Sequence, residues 1–149
     1  MATLILAFAQ LKSFTSLIIK HNEFLQNSMS ALSPILLRPI GNNLSELRLV
    51  SLKTAPYVID DLLSVICENC TLTKLGLVDC QLTASHVDKL RTLIKCARLL
   101  RELDLSWNGM GVTSMLNITK ELAANRNLTT VNLSWNYLCV SHKVTTMPH

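Results

Sequence analysis

Leucines and other apolar residues recur along this chain at a spacing far longer than one helix or strand. Leu72, Leu75, Leu77, Cys80 and Leu82 trace L-x-x-L-x-L-x-x-N/C-x-L. The pattern returns at Leu100, Leu103, Leu105, Asn108 and Met110, and again at Leu128, Val131, Leu133, Asn136 and Leu138. Upstream, Leu44, Leu47 and Leu49 fit, with Leu52 standing where an Asn or Cys is expected. A more diverged copy reads Phe14, Leu17, Ile19, Asn22 and Phe24. Repeats therefore start near residues 14, 44, 72, 100 and 128; the first gap is 30 residues and the other three are 28.

The second half of each unit also repeats. Ile59, Leu62 and Ile66 recur as Val87, Leu90 and Ile94, then as Met115, Ile118 and Leu122. Spacing of three and four residues marks one face of a helix. Pro56 ahead of the first such helix, and Asn125 and Asn127 after the third, suit helix edges. Each unit thus reads as a short strand, a turn at the Asn or Cys, and a returning helix. Alternation along the strand sends Leu47 and Leu49 inward and Glu46, Arg48 and Val50 outward. Stacked units would pair their strands in a parallel sheet about 4.8 Å apart, each burying its leucines against the next. The buried Asn or Cys at the strand end is placed to satisfy turn backbone groups of the adjacent unit. Leu52 has no such capacity, so its turn is expected to be irregular.

Period and signature together resemble the ribonuclease-inhibitor-like subclass of leucine-rich repeat proteins, over about residues 14–138. The resemblance implies an α/β solenoid, a horseshoe arc of about five parallel strands on the concave side with helices on the convex side. On this reading residues 1–13 are the helical remnant of an incomplete leading repeat and form an N-terminal cap. Residues 139–149 lack the helical face and form an irregular tail. That missing face predicts a truncated form or fragment of a longer array, or an end covered by a partner or by a second copy. Proteins of the subclass are interaction scaffolds: inhibitors, sensing arms of innate-immune receptors, and adaptors. One branch activates a small GTPase, so the resemblance also implies a GTPase-activating alternative.

Outward strand positions define a concave face. Thr15, Ser16, Ile18 and Lys20 are followed by Glu46, Arg48 and Val50, then Lys74, Gly76 and Val78; Glu102, Asp104, Ser106 and Thr130, Asn132, Ser134 complete it. Mixed charge with apolar gaps suits a protein partner, since charge pairs fix register while apolar patches supply affinity. The candidate binding residues are Glu46, Arg48, Lys74, Glu102, Asp104 and Asn132, with Trp107 and Trp135 at the end of the face. The two tryptophans stand 28 residues apart and so one strand apart. They are either an interface anchor or a pair of rings stacked over the turn.

Composition narrows the function classes. Fourteen Lys and Arg against ten Asp and Glu give a net charge of +4, and 49% of the chain is apolar. That excludes a disordered chain, and the small positive excess argues against a nucleic-acid binder. Five cysteines, an odd number, leave at least one thiol unpaired within the chain and favour a reducing compartment, hence a cytoplasmic protein. A single C-x-x-C, Cys67 to Cys70, has no second pair or histidine pair to complete a zinc site. Five Asn-x-Ser/Thr sites, at Asn43, Asn69, Asn117, Asn127 and Asn132, admit an extracellular recognition domain, though several fall where repeat turns use Asn and Thr. The apolar start, Met1 to Ala9, carries no basic residue ahead of it and is interrupted by Lys12, against a cleaved signal or a membrane span.

Nothing resembles an active site. Four glycines offer no phosphate-cradling loop, Asp60 and Asp61 fall on different sides of a helix, and His86 reads as a surface residue near a helix start. The expectation is a non-enzymatic scaffold or adaptor that binds a protein partner on the concave sheet. It needs no cofactor or metal, contacts neither nucleic acid nor membrane, and has a route to self-association through its C-terminal end.

Overall fold

The repeat fixes the sheet register, because equivalent leucines bury best when equivalent residues lie side by side. In the computed structural model, residues 13–24, 44–68 and 71–138 are described. Five of the described strands form one parallel sheet: β1 (Ser16–Lys20), β3 (Glu46–Val50), β5 (Lys74–Val78), β6 (Glu102–Asp104) and β7 (Thr130–Asn132), in that spatial order. Ser16 pairs with Glu46, Glu46 with Lys74, Lys74 with Glu102 and Glu102 with Thr130. The sequence period is therefore the register itself. Of the segments 1–13 and 139–149, read above as a helical remnant and an irregular tail, all but Ser13 lies outside the described residues. So do Asn43, Asn69 and Cys70.

Between the strands run α1 (Pro56–Glu68), α2 (Val87–Cys96, entered through a 3-10 turn at Ala84–His86) and α3 (Val112–Ala124). Ile59, Leu62, Ile66, Val87, Leu90, Ile94, Met115 and Ile118 are buried, as the helical spacing predicts, and Leu122 packs partly buried against them. They meet Leu47, Leu49, Leu75, Leu77, Leu103 and Leu105 from the strands in one continuous core. Helices pack 8–10 Å apart and strands about 4.8 Å apart. A stack with helices on one side and strands on the other must therefore curve, with the sheet on the inside.

Each strand leaves the sheet through a residue with left-handed backbone. His21, Ser51, Asp79, Trp107 and Trp135 have φ of 51°, 51°, 50°, 62° and 60°. A side chain in this region costs about 1–2 kcal/mol. The offsetting contribution is a continued ladder. The amide of His21 donates to Val50 O (2.9 Å), Ser51 to Val78 O (2.9 Å), Asp79 to Ser106 O (3.1 Å) and Trp107 to Ser134 O (2.9 Å).

The position after this residue behaves as its chemistry demands. Asn108 donates through Nδ2 to the carbonyls of Leu77 (2.7 Å), Leu105 (2.9 Å) and Ser106 (3.1 Å). Its Oδ1 accepts from the amides of Cys80 (2.9 Å) and Leu82 (3.2 Å). Asn136 accepts from Met110 N (3.0 Å) and donates to Leu105 O (2.9 Å) and Leu133 O (3.1 Å). Cys80 replaces the amide with a thiol, 3.4 Å from the carbonyls of both Leu49 and Val78. Burial pushes that thiol up to about 12, which keeps it protonated and able to donate. Leu52, with nothing to offer the backbone, is simply buried. The irregularity expected of its turn is not seen: Ser51 keeps the left-handed φ, and the chain extends into β4 (Lys53–Thr54), which pairs in parallel with β2 (Glu23–Phe24), the same extension after Asn22 in the first unit.

His86 is not a surface residue. It is fully buried, with Nδ1 accepting from Thr83 N at 2.9 Å and Nε2 lying 3.1 Å from Pro56 O. The first contact fixes the tautomer, since Nδ1 must be bare, so Nε2–H donates to the carbonyl of Pro56. The imidazole thereby ties the start of α2 to the start of α1, 30 residues earlier in the chain.

Charged side chains tie the helices along the convex side. Lys89 reaches Asp60 O at 3.0 Å, with Asp60 Oδ1 at 3.8 Å. Arg91 (2.7 Å) and Lys95 (3.3 Å) of α2 converge on Glu121 of α3. Hydrogen bonds from Arg91 hold the Glu121 carboxyl below its usual value of 4.5, against an opposing effect of desolvation. A lowered carboxylate pKa contributes stability that is present above 4.5 and lost as pH falls through the folded-state value. Urea unfolding followed from pH 6 downward should therefore decline less steeply for Glu121→Gln than for the native protein below about pH 4.5; parallel curves would remove this pair from the account.

Candidate functional site

The concave sheet brings the six predicted strand residues together and neutralises most of their charge. Glu46 accepts from Ser16 Oγ and from Arg48 Nε, each at 3.0 Å. Lys74 meets Glu102 at 2.8 Å, and that hydrogen bond raises the lysine pKa. Asp104 Oδ1 accepts from Ser106 N (3.0 Å) and Ser106 Oγ (2.6 Å), and Asn132 Oδ1 accepts from Ser134 N (3.1 Å) one repeat later. Both side chains therefore lean along the sheet toward the turns.

Two positions read as outward are in fact covered. Ser106 is buried beneath its bonds to Asp104, and Gly76 is buried beneath the stem of Arg48. A methyl group added at Gly76 would meet Arg48 Cγ at 3.2 Å. Glycine here lets a long side chain lie flat on the sheet. The hollow left among Arg48, Lys74, Glu102, Asp104, Thr130 and Asn132 measures about 60 Å³. Small-molecule sites are about 300–1,000 Å³, so this hollow is smaller than such a site.

Trp107 and Trp135 lie just beyond the strands, in the turns. Their rings stack with centroids 4.1 Å apart and planes 17° from parallel. They nevertheless remain 52% and 67% exposed, with Tyr137 and Leu138 exposed beside them in the chain. Of the two readings given above, the stacked pair is present, and the rings are exposed as well. Each ring gives one face to its repeat-mate and keeps more than half of its surface exposed.

Sequence reasoning missed the row to which these tryptophans belong. His21, Ser51 and Asp79 hold the equivalent left-handed positions in the preceding units. A concavity of about 490 Å³ lies along that half of the row, lined mainly by His21, Asn22, Glu23, Lys53, Asp79 and Gln81. The rim of the sheet thus has a polar half and an aromatic half. Among the described residues, no three His, Cys, Asp or Glu side chains cluster as metal ligands would, and no helix is long and apolar enough to cross a membrane.

Residues 97–118 and 124–137 match the Leucine Rich repeat family model. The fold is a leucine-rich-repeat solenoid. The matched segments carry both tryptophans, both turn asparagines and the last two strands. No curated protein matches the chain. Leucine-rich repeats generally mediate contacts between proteins, and this solenoid presents the elements such contacts use: a stiff parallel sheet with alternate residues projecting from it, and exposed aromatic rings at its rim.

Proposed function

We propose that the protein is a non-enzymatic interaction module of the ribonuclease-inhibitor-like subclass. It binds a protein partner across the concave sheet and the tryptophan rim. The 28-residue register of the last four strands supports the subclass. The observation that carries the function is the stacked, half-exposed pair Trp107 and Trp135. Large aromatic area held rigid at low entropic cost is what interface hot spots use. The internally paired charges Glu46–Arg48 and Lys74–Glu102 form the flanking polar surface and set the register of docking.

Affinity capture from cells, identified by mass spectrometry, tests this reading with Trp107→Ala/Trp135→Ala beside the native protein. The stacked pair contributes only about 0.5–1.5 kcal/mol beyond its buried area, so the double variant should retain its circular dichroism spectrum. Specific partners should be lost or held at least roughly tenfold more weakly. Undiminished capture by a folded double variant would remove the rim from the interface.

A further inference from the structure

The site proposed above has a chemical preference, and we infer that Trp107, Asp79 and Asp104 form a seat for an arginine side chain of the partner. The inference rests on the interaction reading and specifies what the tryptophan rim takes. Asp79, Trp107 and Trp135 are consecutive members of the left-handed row, joined by the amide of Asp79 on Ser106 O (3.1 Å) and that of Trp107 on Ser134 O (2.9 Å). Neighbouring strands are about 4.8 Å apart, and the two rings stack at 4.1 Å. The stacking direction therefore runs along the row. One face of Trp107 is covered by Trp135, and the other is turned toward the unit that carries Asp79.

Asp79 is exposed. Asp104 is drawn toward the turn by its bonds to Ser106, the residue immediately before Trp107. The other charged positions of the sheet are already matched, Arg48 with Glu46 and Lys74 with Glu102. Among the described residues neither Asp79 nor Asp104 has an ion pair. Asp79, one unit along the row from Trp107, and Asp104, three residues before it with Oδ1 held by Ser106, are thus carboxylates without an ion pair, and together with the indole they favour a flat cation. A guanidinium satisfies both at once, lying on the ring while its N–H edges meet carboxylate oxygens. Lysine, a compact and strongly hydrated charge, fits this arrangement less well.

The probe is a Gly/Ser peptide carrying a single arginine, compared with the same peptide carrying citrulline or lysine. Binding is read from the indole N–H resonances of Trp107 and Trp135 at low ionic strength. The arginine peptide should shift Trp107 saturably and more than Trp135, the lysine peptide should bind more weakly, and the uncharged citrulline peptide should leave both signals in place. Asp79→Asn, which keeps size and tolerates the left-handed backbone, should weaken binding by roughly two- to fivefold. Asp104→Asn, which keeps an oxygen for Ser106, should do likewise. Equal shifts from arginine and citrulline, or full binding by both Asp variants, would overturn the assignment. If the arginine probe fails while partner capture still depends on Trp107 and Trp135, the interaction reading stands and the arginine seat falls.

Discussion

Replacing Asn108 by alanine is expected to lower the unfolding free energy by roughly 3–5 kcal/mol. The amide serves two repeats. It accepts from the amides of Cys80 and Leu82 in one unit and donates to Leu77 O in that unit and to Leu105 O and Ser106 O in its own. Alanine leaves these backbone groups without their partner at a part-buried turn. Each unsatisfied buried group costs about 1–3 kcal/mol, less where water can reach it. The cost falls between units, where a solenoid derives its cooperativity. Asn136 holds the same place one repeat later, but it accepts only from Met110 N and sits beside the exposed Trp135 and Tyr137. Asn136→Ala should therefore cost less than half as much. Urea denaturation of the two variants decides the matter; equal midpoints would mean that the ladder does not carry the stability assigned to it.

Loss of His86 ranks second. His86→Ala removes a fully buried ring and strands Thr83 N and Pro56 O, for a cost of roughly 2–4 kcal/mol. For a chain of this size each kcal/mol lowers the melting temperature by about 2–4 °C. The neighbouring Ser85→Ala is the control. Ser85 is exposed and its hydroxyl lies 2.8 Å from that of Thr83, itself exposed, so its loss should barely move the melting curve. A His86 variant that melts with the Ser85 variant would contradict the tie between α1 and α2.

How legible these features were in the sequence follows from the range of the forces behind them. Leu47, Leu75 and Leu103 betray the sheet because burial against an identical neighbour selects the same residue at every turn of the solenoid; their pairing is the period. Asn108 is legible for the same reason, since a buried amide at a strand end has few other uses. The left-handed row is not. His21, Ser51, Asp79, Trp107 and Trp135 share no propensity, and what accompanies their common backbone is, for the first four, a ladder bond to the next unit.

His86 was misread because its decisive partner, Pro56 O, is a main-chain atom 30 residues away that no side-chain pattern announces. Gly76 was misread because its burial comes from Arg48, which bends over it from the adjacent strand. On the candidate site, the strand residues followed from alternation alone. The simultaneous stacking and exposure of the tryptophans needed coordinates, because ring orientation is set by turn geometry rather than by spacing.

The most direct test of the central claim asks which surface touches a partner. A photo-crosslinking residue is placed singly at Thr130 on the sheet and at Tyr137 beside the rim, and at Leu116 and Lys120 on α3, all exposed positions. In cells, crosslinks to a discrete partner should form from Thr130 and Tyr137 and be absent from Leu116 and Lys120. Crosslinks confined to the α3 positions would place the interface on the convex helices and contradict the account.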